Sequence, residues 1–577
     1  MDAATWCRHL VPDRSVYAFL ADHRHGLFPA ELFADVARQG GGHPSVPAEV
    51  IATVMVLQAL EGLSDREAVS ALRRDIAWKV ACGLRLDDEG FHPTVLVYWR
   101  ARLRSSDRPR RIFEAVRQVV EATGVLTGQG RRVLDSTILA DAVATQDTVT
   151  QLVAAIRRVR RLVPQAREVE LGAHDDERPG KPDCAWDDPQ ATQALVSGLV
   201  NDALAVLAAV ADLTLDAEQA EAAALLTVVA GQDVEPGDRP GSWRIARRVA
   251  QDRVISTVDP QARHTRKTSA HKRDGYKAHI ATEPETGLVT ECALTAATAP
   301  DGPTGVELLA GEQAGLEVLG DTHYGSGQTR AALTAAGHTQ TIKPIPLHSA
   351  VSGGFTVHDF NIDRQAGTAK CPAGYTTTIT ASEQASFARH CQRCPLRQRC
   401  TTAKRGRVLQ IHPHEDELRA ARRRAVTRSF QHSYRHWRPM VERSIAWLVA
   451  DGCRRVPYRG IQRNQAWWSL RVAAVNLRRL LVLGLARQDG AWPGCWPETR
   501  CHLCSALNLT GPPPDLAPID CMDSRRSNHR SDRTKHLQRG PRNRPSGFHR
   551  NRLEQALAEW PSPMSSVHAD VPWSVHR

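Results

Sequence analysis

The first 125 residues carry apolar positions at the spacing of α-helices. Residues 46–60 form an apolar run of helix length. Ser64 and Glu67 then have the spacing of a capping box, in which each side chain bonds the backbone amide of the other residue. After Ala68 the apolar positions follow a helical period, which predicts further helix through Val69, Leu72, Ile76, Val80 and Leu84.

Another helix is predicted where Val95, Trp99 and Leu103 lie on one side, with three arginines beside them. Short helices that are joined by tight turns and end in arginines could form a helix-turn-helix reader of DNA. They could equally form an ordinary helical bundle with a solvated basic face. The pattern alone favours neither interpretation.

The pattern changes near residue 132, where strands begin to alternate with helices. Residues 132–139 form a β-branched and aliphatic run with Asp135 in its middle, which predicts a strand. Residues 145–232 return to Ala-rich and Leu-rich helices. Residues 275–282 and 288–295 then flank a turn sequence, so they predict a β-hairpin.

The alternation continues after the hairpin. A helix is predicted from Asp301 to Ala314, a strand from Leu316 to Asp321, a helix over 329–336 and a strand over 339–345. A long helix is predicted from about Glu415. Strands that alternate with helices in this order predict an α/β fold with a mixed sheet.

Composition is consistent with several folded domains and with a polyanionic partner. The chain has 577 residues, of which 42% are hydrophobic and 24% charged, so it is not a fibrous or wholly disordered protein. Its net charge of +12 favours nucleic acid as the partner.

The expected location is the cytoplasm. The N-terminus lacks a basic start followed by an apolar core, so no secretory signal is predicted. The most apolar long stretch, residues 194–213, is interrupted by Asn201, Asp202 and Asp212, and therefore predicts a soluble helix rather than a membrane span. Thirteen cysteines are an odd and scattered set, unlike a secreted disulfide framework.

Three acidic residues are candidates for a shared metal site. Asp135 lies in a predicted strand, Asp321 at a strand end, and Glu442 in a helix. A buried carboxylate without a partner is costly, whereas Mg²⁺ takes oxygen ligands and leaves positions open for a phosphate. Any one of these acids could instead be a cap or an ion-pair partner. The order of elements around all three is what favours the metal site.

The chain resembles the DDE transposases of bacterial insertion sequences, closest to the insertion-sequence-1182 branch of the insertion-sequence-4 superfamily. The resemblance spans roughly Leu27 to Leu485. The segments that carry it are 44–104, Val133-Leu134-Asp135-Ser136-Thr137, 257–263, Gly275-Tyr276-Lys277, 319–325 and 434–442.

This resemblance implies a ribonuclease-H-like catalytic domain and an activity. Asp135, Asp321 and Glu442 would be the catalytic residues and the ligands of Mg²⁺ or Mn²⁺. The enzyme would bind the terminal inverted repeats of the element, cleave double-stranded DNA and transfer the freed strand to target DNA. A homodimer on paired ends is expected, as is a location near the bacterial nucleoid.

The resemblance also implies residues that contact DNA. Tyr434 and Arg438 match the family pattern loosely, since the tyrosine is one residue farther from the arginine than usual. The lysine expected seven residues after the glutamate is Val449 here, and Arg454 or Arg455 could replace its contact. Lys277 belongs to a basic cluster that could neutralise phosphates.

The predicted organisation has six parts. They are a helical N-terminal DNA-binding domain (1–125), the first part of the ribonuclease-H-like core (126–144 and 255–348), a helical insertion (145–254), a cysteine-rich insertion (349–414), the C-terminal helices of the core (415–487) and a disordered tail (488–577).

Four cysteines in the cysteine-rich insertion could bind a structural zinc ion. Cys371, Cys391, Cys394 and Cys400 include one Cys-x₂-Cys pair, and four thiolates suit tetrahedral zinc. The spacing is irregular for a zinc ribbon and His390 could compete as a ligand, so free cysteines in a loop are the alternative.

A second function remains open from the sequence. The protein could be a catalytically decayed transposase that acts only as a sequence-specific DNA-binding protein. Such a protein would bind element ends and cleave nothing.

Overall fold

A computed structural model describes residues 1–37, 46–175, 178, 180–248, 250, 252–266 and 272–485. The predicted disordered tail, 488–577, lies outside the described residues. The contacts of the chain divide it into two units. The first comprises the described residues up to 151 and between 250 and 485, and the second includes the described residues between 152 and 248.

Helices occupy the N-terminal region, as predicted. Their bounds are α1 Ala3–Cys7, α2 Val16–Leu27, α3 Ala48–Glu61, α4 Asp65–Arg74, α5 Ile76–Cys82, α6 Thr94–Arg104 and α7 Arg111–Ala122. The capping box before α4 is confirmed: the Glu67 amide donates to Ser64 Oγ at 3.3 Å, and the Ser64 amide donates to Glu67 Oε2 at 2.8 Å.

The prediction of one continuous helix after Ala68 is wrong, because the helix is interrupted at Asp75. Asp75 has an extended backbone and ends α4, and its carboxylate accepts bonds from the amides of Ala77 and Trp78, which begin α5. An acid that caps the next helix stops the preceding one, whatever the apolar period. Ile76 is consequently 42% exposed.

The hydrophobic core of the N-terminal helices is continuous with that of the α/β domain. Helix α3 is buried along nearly its whole length, from Val50 to Leu60. The same apolar cluster includes Val133, Ile280 and Trp468. Burying each large side chain of this kind stabilises the fold by about 1.5–3 kcal/mol. The first unit therefore folds around a shared core.

One mixed sheet forms the centre of the first unit. Its first strand is β1 Arg131–Ala140. Between β1 and the rest of the sheet come α8 Thr148–Leu162, α9 Pro164–Arg167, α10 Pro189–Val210, α11 Ala217–Gln232, β2 Val234–Pro236 and β3 Trp243–Ile245. The sheet then continues with β4 Arg263–Arg266, β5 Lys272–Thr282, β6 Val289–Ala296, α12 Asp301–Leu308, β7 Glu317–Gly320, α13 Gly327–Ala335 and β8 Thr339–Ile342.

The strand order is β4-β5-β1-β7-β8, with β6 also paired to β5. Strand β5 runs antiparallel to β4, β1 and β6, whereas β1, β7 and β8 are parallel. The predicted hairpin of β5 and β6 and the predicted strands β1, β7 and β8 are confirmed. A mixed α/β sheet with helices packed on it is likewise confirmed.

Side chains of β1 alternate between the two faces of the sheet, as a strand requires. Val133 and Leu139 join the large core that contains the N-terminal helices. Leu134 joins a smaller cluster with Leu308 of α12 and with Tyr324. Asp135 shares the side of Val133, and Ser136 shares the side of Leu134.

Small elements make up the cysteine-rich segment, and helices follow it. The small elements are β9 Asn361–Asp363, β10 Thr368–Lys370, β11 Thr376–Thr378, β12 Gln384–Ser386, α14 Ala388–Cys391, α15 Arg397–Cys400 and β13 Val408–Gln410. The helices are α16 Glu415–Ala425, α17 Arg428–Trp437, α18 Met440–Val449 and α19 Ile461–Val482. Phe360, Phe387 and Ile411 form the centre of a small apolar core in the cysteine-rich segment.

The long helix expected from Glu415 is broken twice, and the helix expected to end at Ala314 ends at Leu308. Thr427 is extended and caps α17 through a bond from the Phe430 amide, so α16 ends before it. Pro439 precedes α18. Because proline has no N–H group, it cannot donate the helical hydrogen bond that would join α17 to α18. The backbone of Arg438 and Pro439 stays in the helical region, so α18 follows α17 after a short interruption, whereas extended Thr427 separates α16 from α17.

The second unit is mainly helical and contains one markedly apolar helix. By length and composition alone, α10 could cross a membrane. It packs against α9, α11 and β3 of its own unit. Its Asp202 is buried and accepts bonds from the amides of Gly172 and Ala173 at 2.8 and 2.9 Å.

Arg471 of α19 joins α3 to the segment that follows α18. Its side chain is fully buried. The guanidinium donates to backbone carbonyls of Ala59, Leu60, Trp447, Leu448 and Ala450, and to the Asp451 carboxylate. The guanidinium is a buried donor to all of these acceptors. Removing the Arg471 side chain therefore leaves buried polar groups without a hydrogen-bond partner.

We expect Arg471→Met to lower the free energy of unfolding by about 3 kcal/mol or more, because several buried carbonyls lose their donor at once. Urea denaturation of the full chain measures this. Arg463→Met, at an exposed position of the same helix, is the control. Equal stability of the two variants would contradict the role given to Arg471.

Candidate active site

Asp135 lies in β1, and Asp321 directly follows β7, the parallel neighbour of β1, at the same level. The pairs Arg131–Glu317, Arg132–Val318 and Val133–Leu319 define the register of β1 against β7. Continuing this register by two residues places Asp135 opposite Asp321. Neighbouring strands are about 4.8 Å apart, so the two carboxylates are close neighbours.

Asp135 is partly buried and is paired with a cationic side chain. The Arg438 guanidinium lies 3.0 Å from Asp135 Oδ1, and both side chains are largely excluded from solvent. The Ser136 amide also donates to Oδ1, at 2.9 Å. Burial raises the pKa of Asp135 above its usual value of 3.8, and the Asp321 charge adds to this rise, while Arg438 opposes it.

Asp321 is more accessible and is held by the turn that follows β7. Its side chain accepts a bond from the His323 amide at 2.8 Å, and Oδ2 lies 3.2 Å from His323 Nδ1. About a third of the side chain is exposed. This carboxylate can therefore meet a ligand from solvent with little rearrangement.

Two tyrosines border the acidic pair. Tyr434 is stacked on Phe430, and burial raises the pKa of its phenol, with Arg438 opposing and both aspartates adding. Tyr324 is fully buried. Burial raises its pKa well above 10, and the charges of Asp301, Asp135 and Asp321 add to the effect. Both phenols therefore lie in the field of the aspartates.

Glu442 lies in the first turn of α18 and its side chain is exposed. Arg438 and Pro439 both have helical backbone angles, so Glu442 follows Arg438 by about one turn, roughly 6 Å along the axis. The structure thus brings the helix of Glu442 to the acidic pair through Arg438. Glu442 itself is not joined to either aspartate by a described contact.

The fit of this site to a metal ion is partial. Asp135 and Asp321 supply the oxygen ligands that a hard divalent cation prefers. Over the described ranges, however, no three side chains of His, Cys, Asp or Glu are arranged so that they could hold one metal ion. The expected meeting of all three acids is therefore not seen among the described residues.

A buried polar network lies on the opposite side of β1 from Asp135. The Asp301 carboxylate accepts a bond from Ser136 Oγ at 2.7 Å and pairs with Lys277 Nζ at 3.2 Å. His279 Nδ1 lies 3.6 Å from the same carboxylate, and its Nε2 lies 2.9 Å from Thr295 Oγ1. From the sequence, Asp301 is expected only to open a helix.

Lys277 was predicted to contact DNA, but its side chain is bonded within the protein. Its ammonium donates to the Ala299 carbonyl at 2.6 Å and pairs with Asp301, and only 13% of its side chain is exposed. A buried, fully engaged ammonium is not free to bind a phosphate. Alternation on β5 explains this: Lys277 and His279 point to the same side of the sheet as Ser136.

Arg454 and Arg455 are exposed beside the C-terminal end of β1. The Ala140 amide donates to the Arg454 carbonyl, and the Val456 amide donates to the Ala140 carbonyl, both at 2.8 Å. Burial lowers the pKa of Arg454, and the nearby Arg273 lowers it further. This end of the strand therefore presents a concentrated positive charge.

The four cysteines of the predicted zinc site line one small cavity, together with His390. The Arg407 amide donates to Cys391 Sγ at 3.4 Å. Burial raises the pKa of the Cys400 thiol, and the charges of the other three cysteines add to this rise, whereas Arg407 opposes it. The ring of His390 is stacked on Tyr375, 4.7 Å away. The four thiols therefore line one cavity, but they are not arranged to coordinate a metal ion.

Two family models match the chain. Residues 370–481 match a family described as Transposase DDE domain, and residues 8–102 match one described as Transposase domain (DUF772). Both matches support a DDE transposase of insertion sequences. The first includes Tyr434, Arg438 and Glu442 but not the strands of Asp135 and Asp321. No curated protein and no solved structure matches the chain significantly.

A DDE transposase domain implies a metal-dependent nuclease or transposition activity and DNA as the substrate. The class of protein is thereby supported from two separate parts of the chain. Neither match identifies the residues that perform the chemistry.

The buried network predicts a pH dependence of stability. Burial lowers the pKa of His279 from 6.5 to about 4. Below pH 6.5 the unfolded imidazole therefore binds a proton that the folded one does not, and the free energy of unfolding falls as the pH drops from 6.5 toward 4. The slope is at most about 1.4 kcal/mol per pH unit.

We expect His279→Gln, which can still bond Thr295, to make this decline shallower. Urea denaturation of both proteins at several pH values between 4 and 7 provides the comparison. Parallel curves for the variant and the unsubstituted protein would show that His279 is not buried in its neutral form.

Proposed function

We propose that this protein is a DNA transposase of a bacterial insertion sequence, of the insertion-sequence-1182 branch, with a ribonuclease-H-like catalytic domain. It binds the terminal inverted repeats of its element as a homodimer and catalyses metal-dependent cleavage and strand transfer. It acts in the bacterial cytoplasm, at the nucleoid. The mixed sheet, with its single antiparallel central strand β5, is compatible with this fold.

The observation that carries the proposal is the pair of Asp135 and Asp321 together with the contact that Arg438 makes to it. Asp135 and Asp321 are side by side on parallel strands, and Arg438, from the segment that matches the DDE domain, contacts Asp135 at 3.0 Å. Two carboxylates in such proximity repel each other unless a cation lies nearby. Arg438 supplies one positive charge to the pair.

In the proposed reaction Asp135, Asp321 and Glu442 are the catalytic carboxylates and would hold Mg²⁺ or Mn²⁺. The metal, when bound, supplies charge neutralisation at the phosphodiester. Arg438 is ion-paired with Asp135, and it would bind a phosphate oxygen once a cation takes its place beside that carboxylate, since a guanidinium presents a fork of donors that matches phosphate geometry. Tyr434 borders the same space.

The other DNA contacts are proposed at Arg454 and Arg455. Their exposed guanidinium groups lie at the end of β1, five residues beyond Asp135, which is about 16 Å along the strand. DNA held there would extend from the acidic pair along the strand direction. The N-terminal helices, which match the DUF772 transposase domain, are the proposed reader of the element ends.

The catalytic test uses Asp135→Asn, Asp321→Asn and Glu442→Gln. Each is expected to lower metal-dependent cleavage of DNA that contains the gene and its flanking sequence by about 100-fold or more, because a ligand is lost. Glu307→Gln, at an exposed acid on α12, is the control. Gel analysis of cleaved and joined products measures both steps.

A binding-only protein is the second candidate function. It is favoured by the absence of any three described side chains placed to share a metal ion. A decayed transposase would bind end-containing DNA and yield no cleaved product with Mg²⁺ or Mn²⁺, even without substitution. Cleavage by the unsubstituted protein that is lost in Asp135→Asn excludes this candidate.

We also propose that Cys371, Cys391, Cys394 and Cys400 hold a structural Zn²⁺. They line one cavity in a segment whose apolar core is small, and small segments of this kind are commonly stabilised by a metal. Binding would require the thiols to move closer together than they are here.

Elemental analysis of the purified protein is expected to find about one zinc per chain. Cys371→Ser combined with Cys394→Ser is expected to lose the metal and to destabilise this segment. Cys184→Ser, at a cysteine of the second unit, is the control. Purified protein that lacks zinc and keeps its stability with a chelator would contradict the proposal.

A further inference from the structure

Helix α17 presents two different faces. Phe430 is buried and Tyr434 is half-buried, and Tyr434 lies near the acidic pair. Arg428, His432, Arg435 and His436 are exposed and recur at spacings of three and four residues, so they share the opposite side. We call these four residues the outer face of α17.

The outer face carries charge without a counter-charge. A shallow groove there is lined by Val426, Arg428, Gln431, His432, Arg435 and His436, none of which is acidic. Neither Arg428 nor Arg435 has an ion pair with a described residue. Arg419 and Arg422 of the preceding helix, by contrast, both pair with Glu415, at 3.2 and 3.1 Å.

The two histidines add a flat polar surface to the arginines. The rings of His432 and His436 are parallel within 4°, with centroids 6.2 Å apart. Arg423 and Arg424, at the end of α16, are exposed as well and lead toward this face. An uncompensated row of basic groups on one side of a helix suits a polyanion.

DNA is the polyanion that fits this face, because α17 lies within residues 370–481, which match the Transposase DDE domain. The opposite side of the same helix carries Tyr434 near Asp135 and Asp321, so DNA that flanks the acidic pair would reach the outer face by following the surface of α17. Arg428 and Arg435 are separated by about 10 Å along the axis. At about 3.4 Å per nucleotide along a strand, this distance spans roughly three nucleotides.

We propose that the outer face of α17 binds the phosphate backbone of the DNA that flanks the cleavage site. This inference rests on the proposed function and extends it by naming a contact surface. The contacts are to phosphates, so they contribute affinity and register rather than sequence recognition.

The test is the salt dependence of binding to a short labelled DNA duplex of arbitrary sequence. Each phosphate contact contributes about 0.9 to the slope of log affinity against log salt concentration. Arg428→Gln combined with Arg435→Gln is expected to reduce the magnitude of that slope by about 1.8. Replacing both arginines with lysine keeps the charge and should leave the slope nearly unchanged.

Arg161→Gln combined with Arg248→Gln removes the same charge from exposed positions of the second unit. An equal reduction in this control would mean that net charge alone sets the slope, and would overturn the inference. An unchanged slope in the α17 variant would overturn it too.

The two proposals fail in different ways. If the unsubstituted protein cleaves DNA and the α17 variant keeps its full salt slope, only the contact surface is wrong. If the unsubstituted protein neither binds nor cleaves DNA, the proposed function fails and this inference with it.

Discussion

The register of β1 against β7 is the constraint on which the candidate site depends. It places two carboxylates side by side on strands that are about 4.8 Å apart. Burial already disfavours the ionised form of Asp135, and Asp321 disfavours it further. Such an arrangement is unfavourable for a purely structural role and is typical of sites that bind cations. Arg438 offsets part of the repulsion.

The breaks in the C-terminal helices give Arg438 its position. Extended Thr427 ends α16, so α17 starts anew and Tyr434, with Arg438 just after the helix, lies beside Asp135. The helical angles of Arg438 and Pro439 then lead directly into α18. Helix α18 is anchored beside the β5–β6 turn, where Ser444 Oγ donates to the Gly287 carbonyl at 3.1 Å. Glu442 lies between these two anchors and remains exposed.

Much of the α/β part could be predicted because its strands are short, apolar and separated by clear turn residues. Asp135 and Asp321 stood out as acids within or beside such strands. The break at Asp75 could not be predicted from apolar spacing, since the period continues through Asp75 and is stopped by a capping bond. The burial of Lys277 was missed because its partner, Asp301, is 24 residues away in sequence.

The most direct test of the account is a crystal structure of the protein grown or soaked with Mn²⁺, with anomalous diffraction to locate the ion. The account predicts an anomalous peak between the carboxylates of Asp135 and Asp321, with Arg438 displaced from Asp135 and Glu442 turned toward the ion. A peak at a site that excludes both aspartates, or an intact pair of Arg438 and Asp135 with no ion beside it, would contradict it.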